Sequence, residues 1–157
     1  FEKMLNEVEA NYCVDTSKVF VGGFSSSAWF AATLSCSHGD RINAIGMAAG
    51  GEQPELPTCT GPTALALWAG TEDTGNPIDA PSNVTWKGSG AVRDRLVTTN
   101  GCSRTTTDWD PRWPTCRAYD DCGKNPVVFC PHPGGHDAGG DTKINSEGFW
   151  KLFKSTW

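Results

Sequence analysis

Apolar positions along this chain fall into short runs of two kinds, and the two kinds alternate. Phe1, Met4, Leu5, Val8 and Tyr12 recur at helical spacing and predict an amphipathic helix over residues 1–12. Residues 18–22 (KVFVG) are β-branched or aromatic and read as a buried strand. Residues 26–36 read as a helix that begins with small residues. A second apolar run, residues 42–49, lies between Asp40-Arg41 and Gly50-Gly51, and a loop through Pro54 and Pro57 follows it. Residues 63–69 (TALALWA) read as a third strand, followed by a polar loop to about residue 82. Ala91, Val92, Leu96 and Val97 predict a helix that stops near Asn100-Gly101. Residues 102–124 hold three cysteines and little periodicity, and read as a stapled excursion. Residues 126–130 (PVVFC) form a fourth strand, with Gly134-Gly135-His136 on the loop after it. Phe149, Trp150, Leu152, Phe153 and Trp157 mark a closing amphipathic helix, with Trp150 and Trp157 assigned to its core face.

Strands alternating with helices predict βαβ units: an α/β fold with a mostly parallel sheet and helices on both faces. No internal repeat or linker divides the 157 residues, so residues 1–157 read as one portion of a single domain. The chain opens on Phe1 inside a helical pattern, so the expectation is that earlier strands, and any signal peptide, lie outside it.

Composition narrows the function classes. A net charge of -5 with no basic block argues against nucleic acid and anionic membranes as partners. No apolar run approaches the roughly 20 residues that span a bilayer. Seven cysteines (Cys13, Cys36, Cys59, Cys102, Cys116, Cys122 and Cys130) are dispersed without a CxxC pair, which points to disulfides and a secreted protein. Asn83-Val84-Thr85 is a candidate glycosylation sequon.

The candidate chemistry starts at Gly23-Phe24-Ser25-Ser26-Ser27, which follows a predicted strand and opens a predicted helix. This is the setting of a nucleophile elbow, Gly-x-Ser-x-Gly, in which a tight turn lifts the serine hydroxyl above the sheet. Ser27 stands where the second glycine is expected, and the competing reading is a serine-rich helix cap. The order of the other residues favours the elbow, since in this fold type the acid follows the serine and the histidine comes last. Asp73 lies on the loop after a strand, with Glu72 and Asp79 as alternatives and a turn-forming role as the competing use. His136 follows the next apolar strand, whereas His38 reads as a surface residue and His132, between two prolines, as structural. A zinc site from Cys130, His132 and His136 is disfavoured, because no CxxC or helical HxxxH brings them together, and no cofactor is implied. Ser25 is thus the candidate nucleophile, His136 its base, Asp73 the residue that orients the base, and the Ser26 N–H an oxyanion donor.

At these residues the chain resembles carbohydrate esterase family 1, the secreted esterases that include feruloyl esterases and poly(3-hydroxybutyrate) depolymerase-like proteins. The resemblance covers nearly the whole chain. Residues 11–15 (NYCVD) and 18–21 (KVFV) resemble the family's entry to the elbow, and Gly70-Thr71-Glu72-Asp73 resembles its HGTxD segment, with Ala69 in place of histidine. Asn100-Gly101-Cys102 resembles an NGC segment, and Cys116, Tyr119, Cys122 and Cys130 a CxxYxxC…C pattern leading into GGH. Asp137-Ala138-Gly139-Gly140 stands where many relatives carry Trp-Pro-Gly-Gly. The resemblance implies an α/β-hydrolase with Ser25, Asp73 and His136 as its triad, lacking its first strands and its oxyanion loop. It implies feruloyl or acetyl esters of plant cell-wall polysaccharide such as arabinoxylan as substrates, with polyester depolymerisation as a second enzyme reading. An inactive, hydrolase-like carbohydrate-binding protein is the reading of another class. Pairing of cysteines is not fixed by sequence; the expectation is Cys13 with Cys36, two bonds among Cys102, Cys116, Cys122 and Cys130, and Cys59 as the odd thiol. Phe24, Trp109 and Trp113 are the candidate substrate contacts.

Overall fold

The computed structural model describes residues 1–137 and 142–156. In chain order the elements are α1 (Glu2–Asn11), β1 (Phe20–Phe24), α2 (Ser26–Ser37), β2 (Ala44–Ala48), β3 (Ala64–Gly70), α3 (Ser89–Thr99), β4 (Thr106–Asp108), β5 (Arg117–Tyr119), β6 (Val127–His132) and α4 (Thr142–Ser155). The strands form one mixed sheet in the order β1-β2-β3-β6-β5-β4. β1, β2, β3 and β6 run parallel, and β5 and β4 complete the sheet antiparallel.

Every residue of β2 and β3 is buried, because both faces of the sheet are covered. Alternate residues serve the two faces. Ile45, Met47, Leu65, Leu67 and Val127 meet Ala28, Ala31, Ala32 and Leu34 of α2 and Val92, Leu96 and Val97 of α3. Ala44, Ala48, Ala64, Ala66, Trp68 and Val128 meet Leu152 of α4, with Phe149 and Phe153 packed against them. The second face is lined by small residues because aromatic rings press on it. A Cβ on Gly46 would lie 2.4 Å from the Phe149 ring, and one on Gly148 2.3 Å from Trp68. Glycine within a strand costs roughly 0.5–1 kcal/mol. Each large apolar side chain that the close approach helps to bury returns roughly 1.5–3 kcal/mol.

The two antiparallel strands lie inside the excursion. Each has three residues, all exposed or half-buried, so burial leaves no apolar alternation to read. The excursion is stapled as expected, by Cys102–Cys122 and by Cys116–Cys130, and the latter ties it directly to β6. The remaining pairing differs from expectation. Cys36 at the end of α2 bonds Cys59, and Cys13 is an exposed free thiol. The loop after β2 returns past the end of α2, where Thr60 N–H donates to the Cys36 carbonyl at 2.9 Å, and this brings Cys59 rather than Cys13 to Cys36.

Other residues sit differently from their expected places. Trp150 is 50% exposed, since Phe149, Leu152 and Phe153 define the inner stripe of α4 and residue 150 lies off it. Trp157 lies outside the described residues, as does the departure at residues 138–140. His38 is half-buried, against the Phe1 ring and 3.4 Å from Glu2. Met4, Val8 and Tyr12, on the apolar stripe predicted for residues 1–12, are exposed.

Buried charge stitches the helices. The carboxylate of Glu52 is buried and meets Arg95 of α3 at 2.5 Å and Lys87 at 3.5 Å. Arg95 also donates to the Ala32 carbonyl and the Ser35 hydroxyl of α2, so its charge is hydrogen-bonded where water is excluded.

Candidate active site

The parallel strands place three polar residues at one sheet edge. In register, Phe24 lies beside Ala48, Ala48 beside Trp68, and Gly70 beside His132. Ser25, Asp73 and His136 follow β1, β3 and β6 within a few residues, so all three emerge at the strands' carboxyl ends.

Ser25 occupies a turn of unusual backbone, with φ 55° and ψ −121°. A non-glycine residue held there costs roughly 1–3 kcal/mol, and the surroundings impose it. Its N–H donates to the Ala48 carbonyl at 2.9 Å, continuing the ladder between β1 and β2. Its carbonyl accepts from Ala28 at 2.9 Å and Trp29 at 3.2 Å, starting α2. The chain must therefore reverse within one residue. Gly23 is required by this bend, because a Cβ there would lie 2.4 Å from the Ser27 backbone. Ser27 itself is exposed, so the hydroxymethyl group has room where the pattern expects glycine. The Ser25 hydroxyl does not cap α2; it lies 2.9 Å from His136 Nε2.

Asp73 is buried, its side chain wholly inaccessible. Its Oδ1 accepts backbone N–H bonds from Gly75 at 2.8 Å and Asn76 at 2.7 Å, closing the turn after β3. Its Oδ2 faces His136 Nδ1 at 2.9 Å. The turn-forming role and the orienting role are thus filled by different oxygens of one carboxylate. Glu72 and Asp79 are exposed.

His136 is carried on a loop that crosses the end of β3. Thr71 N–H donates to the His132 carbonyl at 2.8 Å, and Glu72 N–H to the Gly134 carbonyl at 3.1 Å. An ionised carboxylate only accepts, so the bond to Asp73 places the histidine proton on Nδ1. Nε2 is left with its lone pair toward the serine hydroxyl. That arrangement can take a proton from Ser25 and deliver it to a leaving group. The Ser26 N–H stands at the first position of α2, where a helix offers its amide no internal partner.

The other site candidates divide. The Phe24 ring is 44% exposed and lies 5.3 Å from the His136 ring, beside the hydroxyl–imidazole pair. Trp113 is buried in the core cluster and Trp109 packs against it, their rings stacked 5.1 Å apart, so the pair fills the core beneath the excursion. Their place is corrected accordingly: Lys151 approaches both rings, and both pack edge-on to Trp68. Cys130 is held in a disulfide and offers no thiolate to a metal. His132 is largely buried, its Nδ1 accepting from Gly134 N–H at 3.2 Å, a structural use. Among the described residues no group of His, Cys, Asp and Glu is placed to hold a metal ion. The same residues contain no helix long and apolar enough to cross a membrane.

No family model matches the chain. It is 25% identical over 158 residues to a probable feruloyl esterase C of Aspergillus clavatus, covering 97% of this chain and 55% of that protein. It is 29% identical over 166 residues to feruloyl esterase D of Neurospora crassa, covering 98% of this chain and 53% of that protein. The chain therefore spans about half the length of the curated relatives it matches. Among solved structures, an acetyl xylan esterase from Aspergillus awamori superposes with a TM-score of 0.67 over 98% of this chain and 65% of that one, at 14% identity. That likeness shows a shared fold.

Proposed function

We propose that this chain is the triad-bearing part of an α/β-hydrolase that cleaves carboxylic esters of plant cell-wall polysaccharide, feruloyl esters foremost. The observation that carries the reading is the unbroken relay from the Asp73 carboxylate through His136 to the Ser25 hydroxyl, each link 2.9 Å. The similarity to feruloyl esterases C and D supports the acyl class, and the fold shared with an acetyl xylan esterase supports the polysaccharide.

In this mechanism His136 Nε2 takes the proton of Ser25 as its oxygen attacks the ester carbonyl. Asp73 holds the ring and stabilises its charged form without itself taking the proton. The Ser26 N–H, at the positive end of α2, stabilises the tetrahedral oxyanion. His136 then protonates the departing sugar alcohol, leaving an acyl group on Ser25. Water, activated by the same imidazole, releases the carboxylic acid. No cofactor takes part.

A second oxyanion donor comes from a segment of the protein outside this chain. The relatives' greater length supports this, and so does β1, which pairs on one side only among the described residues. An apolar groove of about 390 Å³ lies beside it, lined by Met4, Leu5, Val8, Phe20 and Phe30. Secretion is supported by three disulfides, and glycosylation at Asn83 by its place on an exposed turn. The alignment of the Ser25 hydroxyl with His136 Nε2, and of Nδ1 with the buried Asp73 carboxylate, favours an enzyme over an inactive binding protein.

The test is product analysis with the intact protein on methyl ferulate, acetylated xylan and polyhydroxybutyrate. Release of ferulate above the other products is expected. Acetate alone would reassign the substrate to acetylated xylan, and hydroxybutyrate alone would make the protein a polyester depolymerase.

A further inference from the structure

Resting on the serine-hydrolase reading, we propose that Trp29 and Asn76 form a brace that holds the acid and base of the triad in register with the nucleophile. Trp29 lies on α2, and its backbone N–H donates to the Ser25 carbonyl at 3.2 Å, so the residue is built into the elbow. Asn76 lies in the turn of Asp73, and its backbone N–H donates to Asp73 Oδ1 at 2.7 Å. The two side chains meet. Trp29 Nε1 lies 2.7 Å from Asn76 Oδ1.

Chemistry fixes which way the amide faces. An indole N–H only donates, so the atom it meets must be the amide oxygen. The amide nitrogen then points the other way, to 3.3 Å from His136 Nδ1. Because Nδ1 already carries the proton shared with Asp73, this second contact sets donor against donor and is not a hydrogen bond in that tautomer. It fills the space beside Nδ1 and leaves the carboxylate as the acceptor there. One asparagine thus touches all three parts of the relay: the nucleophile's helix through Trp29, the acid through its backbone, the base through its amide.

The indole is in turn fixed. A Cβ on Gly51 would lie 2.7 Å from the Trp29 ring, and Trp86 packs edge-on with ring centroids 5.7 Å apart. The loop after β2, through Gly51, and the segment before α3, through Trp86, therefore clamp the ring that orients Asn76. The brace adds a direct side-chain link between the acid turn and the nucleophile's helix, beside the links through the histidine and the β1–β2–β3 ladder. Both are positioning residues, and Asn76 meets the imidazole at Nδ1 rather than at Nε2, the nitrogen that faces Ser25.

The experiment compares the intact wild-type protein with Trp29→Phe, Asn76→Ala and the double variant on p-nitrophenyl acetate. Phenylalanine keeps most of the ring packing and deletes the donor; alanine keeps the backbone N–H and deletes the acceptor. Each single variant is expected to lose roughly ten- to a hundredfold in kcat, the scale set by small misplacements of reacting groups, with KM unchanged. The double variant is expected to lose no more than the worse single variant, because both remove the same bond. Should Trp29→Phe fail to fold, Asn76→Ala, on an irregular loop, carries the test alone through its kcat and KM. Wild-type turnover with undiminished kcat in Asn76→Ala, or additive losses in the double variant, overturns the brace alone. A folded wild-type protein that turns over no ester takes down the hydrolase reading and the brace together.

Discussion

Gly70 and Gly135 touch so closely that a Cβ added to Gly70 would lie 2.2 Å from the Gly135 carbonyl oxygen, and 2.4 Å from that of Gly134. The loop that carries His136 is laid directly over the end of β3, and the absence of a side chain at residue 70 is what permits it. The expected outcome of Gly70→Ala is a lifted loop and a stretched bond from His136 to Ser25. Displacement of this order costs about 10²-fold in turnover. Steady-state kinetics should show that loss in kcat while far-UV circular dichroism stays native; wild-type kcat would show that the loop accommodates the methyl group.

Asp73 is the only carboxylate placed to orient His136 among the described residues. Asp73→Asn preserves shape but offers an amide whose nitrogen cannot accept the Nδ1 proton, which favours the wrong tautomer. Turnover is expected to fall by about 10⁴-fold. Glu72→Gln, one position away and exposed, is expected to match wild type. A reversed pair of results in ester hydrolysis assays would move the acid to Glu72.

A pH effect is expected at Asp110, far along the chain from the triad. Arg112, hydrogen-bonded to it at 3.0 and 3.1 Å, and Lys151 of α4 hold its carboxyl well below the usual carboxylate range. A group whose pKa is lower folded than unfolded contributes stability above the unfolded value, about 3.9 for aspartate, and that contribution is lost as pH falls further. This ion pair tethers the excursion to α4. Asp110→Asn should therefore lower the urea midpoint at neutral pH and leave a smaller drop in that midpoint between neutral pH and about pH 3. Equal drops in variant and wild type would show that the tether contributes nothing.

The central strands were legible because burial decided them. The runs at residues 42–49 and 63–69 are apolar throughout, as strands covered on both faces must be, and they are β2 and β3. Ser25, Asp73 and His136 stand out because each follows an apolar run that reads as a strand, although only β3 of the three is buried throughout. β4 and β5 left no trace, since three-residue strands that are exposed or only half-buried need no apolar pattern. The Cys36–Cys59 bond depends on where a proline-rich loop turns back, which local spacing does not encode. Trp113 looked like a surface aromatic because the excursion around it is polar; tertiary packing buries it. The contact between Trp29 and Asn76 joins residues 47 apart in sequence through side chains that suit many other uses.

The most direct measurement is covalent labelling of the intact, folded protein with a fluorophosphonate, followed by peptide mass spectrometry. A hydroxyl activated by the His136 and Asp73 relay should take one adduct, at Ser25, and lose it in Ser25→Ala and His136→Ala. A folded protein that takes no label, or takes it at another serine with Ser25 unmodified, would contradict the assignment of this site to ester hydrolysis.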